Sequence, residues 1–168
     1  MPSKGFTLLE LLVALTIAAT LAALAAPSFN HVMSRLQLRS ITHQLHTSLN
    51  LARQSAISRR QPVLIRNKGG DWNNGWTVFV DSNNDGQLGP GEEILLEVTK
   101  LPSSLKMSSN FGHYARYRAN GRSAYVNGAF MAGTWVLCVT QSSGTGHKLV
   151  MSAGGRVRSS SHIGSACG

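Results

Sequence analysis

The carboxy-terminal run Gly154-Gly155-Arg156-Val157-Arg158-Ser159-Ser160-Ser161-His162 places two guanidinium groups two residues apart. On an extended segment such residues share one side, so Arg156 and Arg158 present two planar forks to one partner. Each fork matches two phosphate oxygens, and the glycines before them allow a phosphate chain to come close to the backbone. Arg116, Arg118, Arg122 and Lys148 extend the surface, with Tyr114, Tyr117 or Tyr125 available to stack on the bases of a single strand. The chemistry expected of these residues, Gly155 included, is a grip on a nucleic-acid backbone, indifferent to base sequence and sensitive to salt. The plainer alternative is a solvated basic face, or a contact with acidic residues of another subunit, such as the 71–97 block of a like chain.

A second cluster lies in Asp81-Ser82-Asn83-Asn84-Asp85-Gly86, followed by Leu88 and Glu92. Asp81, Asn83, Asp85 and Glu92 stand at positions one, three, five and twelve of a calcium loop, with glycine at the bend. The flanking runs are β-like rather than helical, and Gly89-Pro90-Gly91 stiffens the return to Glu92, so a polar turn accounts for the same residues. His43 and His46, three apart on a helix, offer two metal ligands without a third at fixed spacing. No nucleophile elbow, phosphate loop or Cys-x-x-Cys occurs. We expect no enzyme activity and no required cofactor, calcium being the one candidate.

These groups must be positioned by a chain of 168 residues with mean hydropathy near zero, enough for one modest domain and an appendage. After Pro27, apolar residues recur at Val32, Leu36, Ile41, Leu45, Leu49, Ala52 and Ala56, a helical stripe with Arg35, Arg39, Arg53 and Arg59 outside it. The helix should run to about Arg60, because Pro62 removes a donor and biases Gln61 away from helical angles. Short β-like runs follow at Pro62–Arg66, Trp76–Asp81, Ile94–Thr99, Leu105–Ser108, Tyr114–Arg118, Phe130–Thr140, Lys148–Ser152 and Arg156–Ser159, separated by Gly, Asn and Ser clusters. The net charge of +9 is segregated: 27–70 holds seven bases and no acid, 71–97 six acids and no base, and 98–168 eight bases and no acid. That pattern favours an anionic partner.

Residues 6–26 are apolar or small apart from Glu10, and as a helix they match a bilayer's hydrocarbon thickness, with Lys4 placing the amino end in the cytoplasm. A cleaved secretory signal ending near Ala26 fits the Ala-rich end of the run but leaves Glu10 unexplained. A carboxylate inside a span costs roughly 2.5–3.5 kcal/mol and calls for a partner. In an exported chain Cys138 and Cys167 are expected to form a disulfide worth roughly 3–4 kcal/mol, the alternative being two buried thiols.

Gly5-Phe6-Thr7-Leu8-Leu9-Glu10, with the apolar run behind it, resembles the class III leader of type IV pilins and type II secretion pseudopilins. Leu51–Arg59, Gly75–Asp81 and Gly155–Arg158 narrow this: they are similar to the GspH/FimT family of minor pilins and pseudopilins. The resemblance implies an α+β, type IV pilin-like fold, a long N-terminal helix packed on a β-rich head. Its divisions would be a leader at 1–5, a transmembrane and assembly helix at 6–26, an amphipathic continuation at 27–61 and a head at 62–168. It implies a prepilin peptidase cut between Gly5 and Phe6, N-methylation of Phe6, and Glu10 facing the free amine of a neighbouring subunit. An ion pair formed there offsets much of the cost of the buried acid. Other pilins, the peptidase and the inner membrane are then partners, with the head periplasmic until assembly into a pilus or pseudopilus. FimT-like members with a terminal Gly-Arg-x-Arg motif are associated with DNA binding in natural transformation, and Gly155, Arg156 and Arg158 match that motif. The rival within the family is a pseudopilin of type II protein secretion.

Overall fold

A computed structural model describes residues 7–140 and 146–162, without the side chains of 22–31 and 162. The chain divides into two compact units, residues 1–36 and 37–168. Helix α1 spans Leu8–Arg59 and belongs to both.

In the first unit α1 begins at the Thr7-x-x-Glu10 sequence of a capping box. The Glu10 N–H donates to Thr7 Oγ1 at 3.2 Å, so Thr7 caps the helix and Glu10 stands in its first turn. Leu8, Leu9, Leu11, Leu12, Leu15, Ile17 and Leu21 are all exposed.

The second unit opens with the remainder of α1. Leu38, Leu45, Leu49, Ala52 and Ala56 form its buried stripe. Val32 and Leu36, expected on that stripe, are exposed, and Leu38 takes the place instead because it lies seven residues before Leu45. The helix stops at Arg59; Arg60 takes φ 54°, a left-handed C-terminal turn ahead of Pro62.

Eight strands follow: β1 Val63–Lys68, β2 Asp71–Val80, β3 Ile94–Val98, β4 Leu105–Ser109, β5 Tyr114–Tyr117, β6 Gly133–Val139, β7 Gly146–Met151 and β8 Val157–His162. They make two antiparallel four-stranded sheets, ordered β3-β2-β1-β5 and β4-β6-β7-β8. The strand expected from Phe130 starts only at Gly133. Phe130 forms an isolated bridge to Ala124 and is 76% exposed.

Inward residues of both sheets and the α1 stripe share one hydrophobic cluster. Its aromatic centre joins the sheets: Trp135 of β6 meets Trp72 of β2 edge-on at 5.5 Å and stacks on Phe111 at 4.1 Å. The buried indole N–H of Trp76 donates to Ser48 Oγ on α1 at 3.0 Å, fixing the helix against the first sheet.

Candidate nucleic-acid interface

Two tight turns meet the helix beside the free edge of the second sheet. In the first, Gly121 N–H donates to Arg118 O at 2.8 Å and Arg118 N–H to Arg122 O at 2.9 Å. In the second, which links β7 to β8, Gly155 N–H donates to Ser152 O at 2.8 Å and Ser152 N–H to Arg156 O at 3.0 Å. Arg53 of α1 ties both together: its Nε donates to Gly121 O at 3.0 Å and its Nη2 to Gly154 O at 3.4 Å.

Gly155 sits at φ 77° and is buried. A Cβ there would fall inside van der Waals contact of the Gly121 carbonyl oxygen and lie 3.1 Å from Tyr117 Cε1. The close approach that this glycine permits is therefore to the protein's own backbone. The sequence reading assigned it to a phosphate chain; its role here is to seat one turn on the other.

The result is a groove of about 460 Å³ lined by Arg53, Val150, Ser152, Gly154, Arg156 and Arg158. Arg156 and Arg158 are exposed, as are Arg118 and Arg122 on the neighbouring turn. Lys148 is half-buried on β7. It shares a sheet face with Val150, whose partner across the strands is Arg158. Among the described residues no carboxylate pairs with Arg118, Arg122, Arg156 or Arg158. Arg53 was read only as a solvent-facing helix residue. Its place in the groove follows from carbonyls some 70 and 100 positions away, which no local pattern signals.

Two expected members do not join the surface. Arg116 is 6% exposed on β5, where Nη2 donates to Asn84 Oδ1 at 2.6 Å and Nε lies 3.6 Å from Asp81 Oδ2. It lies on the face of β5 opposite the core residues Ala115 and Tyr117, where the 81–92 loop meets it and sets a buried acid beside it. Tyr117 is fully buried, and burial pushes its phenol well above the usual tyrosine range, with nearby Arg53 acting in the opposite sense. It cannot stack on a base. Tyr114 and Tyr125 are half-buried and meet each other edge-on at 6.2 Å.

The Asp81–Glu92 loop has turned its oxygens onto its own amides. Asp81 Oδ1 accepts from Asp85 N–H at 3.1 Å, Asp85 Oδ1 from Gln87 N–H at 2.6 Å, and the Glu92 oxygens from Ser82 and Gly89 N–H, both at 2.9 Å. Arg66 reaches Gly86 O at 2.7 Å, and Arg116 approaches Asp81 and Asn84. The oxygens of Asp81, Asn83, Asp85 and Glu92 are thus engaged by groups of the loop itself, with the Arg116 guanidinium beside Asp81. Burial raises the Asp81 carboxyl above the usual range, against the lowering effects of the Gly86 amide and Arg116. No group of three or more His, Cys, Asp or Glu among the described residues is arranged to hold a metal.

Gly5, Phe6 and Cys167 lie outside the described residues, and Cys138 is buried on β6. Among the described residues no helix is long and apolar enough to cross a membrane. Side chains of the expected 6–26 span are described only for 7–21, short of the roughly 20 residues that a crossing needs.

No curated protein matches the chain by sequence. Solved structures that share the fold include a minor pilin and a minor pseudopilin. The type IV minor pilin FimU of Pseudomonas aeruginosa superposes with TM-score 0.59 at 24% identity, covering 74% of this chain and 88% of that one. The minor pseudopilin EpsH from the Type 2 Secretion System of Vibrio cholerae superposes with TM-score 0.56 at 14% identity, covering 74% and 97%. The prokaryotic N-terminal methylation motif matches residues 1–26, and the model of the type II transport protein GspH matches residues 42–155. The chain thus carries a pilin-type leader motif and a type IV pilin-like fold, and it belongs to the GspH family of minor pilins and pseudopilins.

Proposed function

We propose that this protein is a minor type IV pilin whose head holds extracellular DNA for uptake in natural transformation. The observation that carries the reading is the groove in which Arg53, Arg156 and Arg158 converge without an opposing carboxylate among the described residues. Three guanidinium groups, that of Arg53 held by two backbone carbonyls, suit a phosphodiester backbone, and Arg118 and Arg122 widen the positive field beside them. The ligand is gripped through phosphates, so duplex and single strand both bind irrespective of sequence.

The remaining parts of the reading serve assembly. Prepilin peptidase cuts between Gly5 and Phe6 and methylates Phe6, the 6–26 segment anchors the chain in the inner membrane, and the Cys138–Cys167 bridge pins the tail. Glu10 pairs with the amine of a neighbouring pilin. The capping box gives its carboxylate a second favourable interaction, with the helix N-terminus.

The test is fluorescence anisotropy of the full chain in neutral detergent against a labelled duplex across a salt series. With about four phosphate contacts, affinity should fall roughly a hundredfold between 50 and 200 mM salt. Replacing Arg156 and Arg158 together with alanine should remove most of the binding. Unchanged affinity in that variant refutes the DNA reading.

The family model favours a second reading, a GspH-like pseudopilin of type II secretion whose head contacts other pseudopilins or exported proteins. Loss of transformation with protein secretion intact after gene deletion supports the first reading; the reverse phenotype supports the second.

A further inference from the structure

On the other side of β8 lies a second cationic site. A cavity of about 210 Å³ is lined by Arg39, Thr42, His43 and His46 of α1, His147 of β7 and Ser159 of β8. Strand alternation separates it from the arginine groove. Ser159 is paired with the buried Leu149, whereas Arg158 is paired with the exposed Val150 on the opposite face. β8 is a free edge of its sheet, so both sites open along one border.

The helix links them. Arg39, His43, His46, Asn50 and Arg53 recur at three- and four-residue intervals, which keeps them on one face of α1. From Arg39 to Arg53 the rise is about 21 Å, long enough for several consecutive phosphates of an extended strand. The groove anchors one end of this face through Arg53, and the histidine cavity occupies the other.

The charge surroundings are one-sided. The lining groups are one arginine, three histidines and two hydroxyls, with no carboxylate among them. The elements packed around the cavity come from 27–70 and 98–168, segments that contain no Asp or Glu at all. His46 Nδ1 lies 3.2 Å from Asn50 Nδ2. The amide can donate to the neutral ring or turn its oxygen to the protonated one, so it supports either charge state. Histidine is the side chain whose unperturbed charge changes between pH 5 and 8, and three imidazoles here stand beside one fixed cation, Arg39.

We infer that this cavity is a phosphate subsite whose grip tightens as His43, His46 and His147 protonate, making DNA capture stronger in mildly acidic surroundings. For its ligand the site rests on the DNA reading of the arginine groove. Added protonated groups raise the number of neutralised phosphates, and the salt dependence should steepen by nearly one unit for each group engaged.

The experiment uses the full chain in neutral detergent with labelled histidine, a single-stranded oligonucleotide and, separately, inorganic phosphate. Oligonucleotide affinity should rise on the order of tenfold from pH 7.5 to 5.5 with a steeper salt slope, and the His43, His46 and His147 imidazole resonances should move on binding. The His43→Gln/His147→Gln variant should lose most of that rise. His43→Lys, which keeps a permanent charge, should bind more tightly than wild type at pH 7.5 with a flatter profile, a gain that misfolding cannot mimic. A wild-type chain that binds DNA through Arg156 and Arg158 with no pH dependence overturns the subsite and leaves the groove standing. So does an equal pH dependence in the glutamine variant. If no oligonucleotide binds at either pH while phosphate shifts the three imidazoles, the DNA reading fails and the phosphate site stands. If no oligonucleotide binds and phosphate leaves the imidazoles unmoved, both fall.

Discussion

Replacing Gly155 with alanine tests whether the glycine of the Gly-Arg-x-Arg run builds the groove or meets the ligand. The residue sits at φ 77°, where an L side chain costs roughly 1–2 kcal/mol. Its new methyl would collide with the Gly121 carbonyl oxygen and press on Tyr117 Cε1 at 3.1 Å. Tyr117 is fully buried and the carbonyl is already engaged by Arg53, so neither neighbour can yield freely. Overpacking of this kind costs roughly 1–3 kcal/mol. Together the two effects predict a loss of about 3 kcal/mol, which for a chain of this length lowers Tm by roughly 6–12 °C.

The adjacent Gly154 supplies the control. It lies outside the left-handed region, and a Cβ there meets only Ser152 Oγ at 3.8 Å. Gly154→Ala should therefore be neutral, or stabilising by about 0.4–1 kcal/mol through the unfolded chain. Thermal and urea unfolding followed by tryptophan fluorescence reads both variants, because Trp72, Trp76 and Trp135 are all buried and report loss of the core. The same proteins should differ in DNA affinity: Gly155→Ala shifts the 152–156 turn away from Arg53 and weakens binding several-fold under conditions where the variant remains folded. Equal stability of the two variants, or greater damage at Gly154, refutes the proposed packing of one turn on the other.

Arg116→Met strips the buried Asp81 of its nearest cation and should cost about 3–5 kcal/mol by urea unfolding, while the affinity of the folded fraction for DNA stays at the wild-type level. The Asp81 carboxyl is raised in the folded state, so the native chain binds the extra proton and stability attributable to this group falls as pH rises from about 4 through its folded pKa. The advantage of wild type over Asp81→Asn in Tm should accordingly be larger at pH 4 than at pH 7; the opposite trend would mean that the pair with Arg116 outweighs desolvation. Ser48→Ala leaves the Trp76 indole N–H buried without its acceptor and should lower stability by roughly 1–3 kcal/mol in the same unfolding assay. Glu10→Gln keeps the capping geometry and removes the charge, so the chain should accumulate in the membrane and be depleted from sheared filaments.

The sequence showed the class of fold and most of its elements because those depend on local rules: apolar spacing along α1, Pro62 after it, and β-like runs between turn residues. What it missed depends on contacts between distant segments. Leu36 and Leu38 are equally apolar, and only register with Leu45 and Leu49 selects the second for the core. The complete calcium spacing of 81–92 gave no hint that the loop would turn these oxygens onto its own amides, or that Arg116 would approach Asp81 from β5. Arg116 reads as one more surface base until the 81–92 loop is seen to lie against it.

Charge segregation along the chain was legible, and its structural meaning is sharper than its composition. The acidic block 71–97 forms β2, β3 and the loop between them, all in the first sheet. Bases of that same neighbourhood answer it: Arg59 binds Glu93, Lys68 binds Glu97 and Arg116 faces Asp81. The first two are hydrogen-bonded pairs, while Arg116 approaches Asp81 at 3.6 Å without a hydrogen bond. The second sheet contains no acid, so its arginines and the helix face beside β8 have nothing within their own elements to neutralise them. A chain that sets three of its seven acids beside nearby bases and none on the β8 border holds that border positive at a standing electrostatic cost. An anionic ligand relieves the cost at the groove, and this is why the salt response of Arg156 and Arg158, rather than their mere exposure, decides between a binding surface and a solvated one.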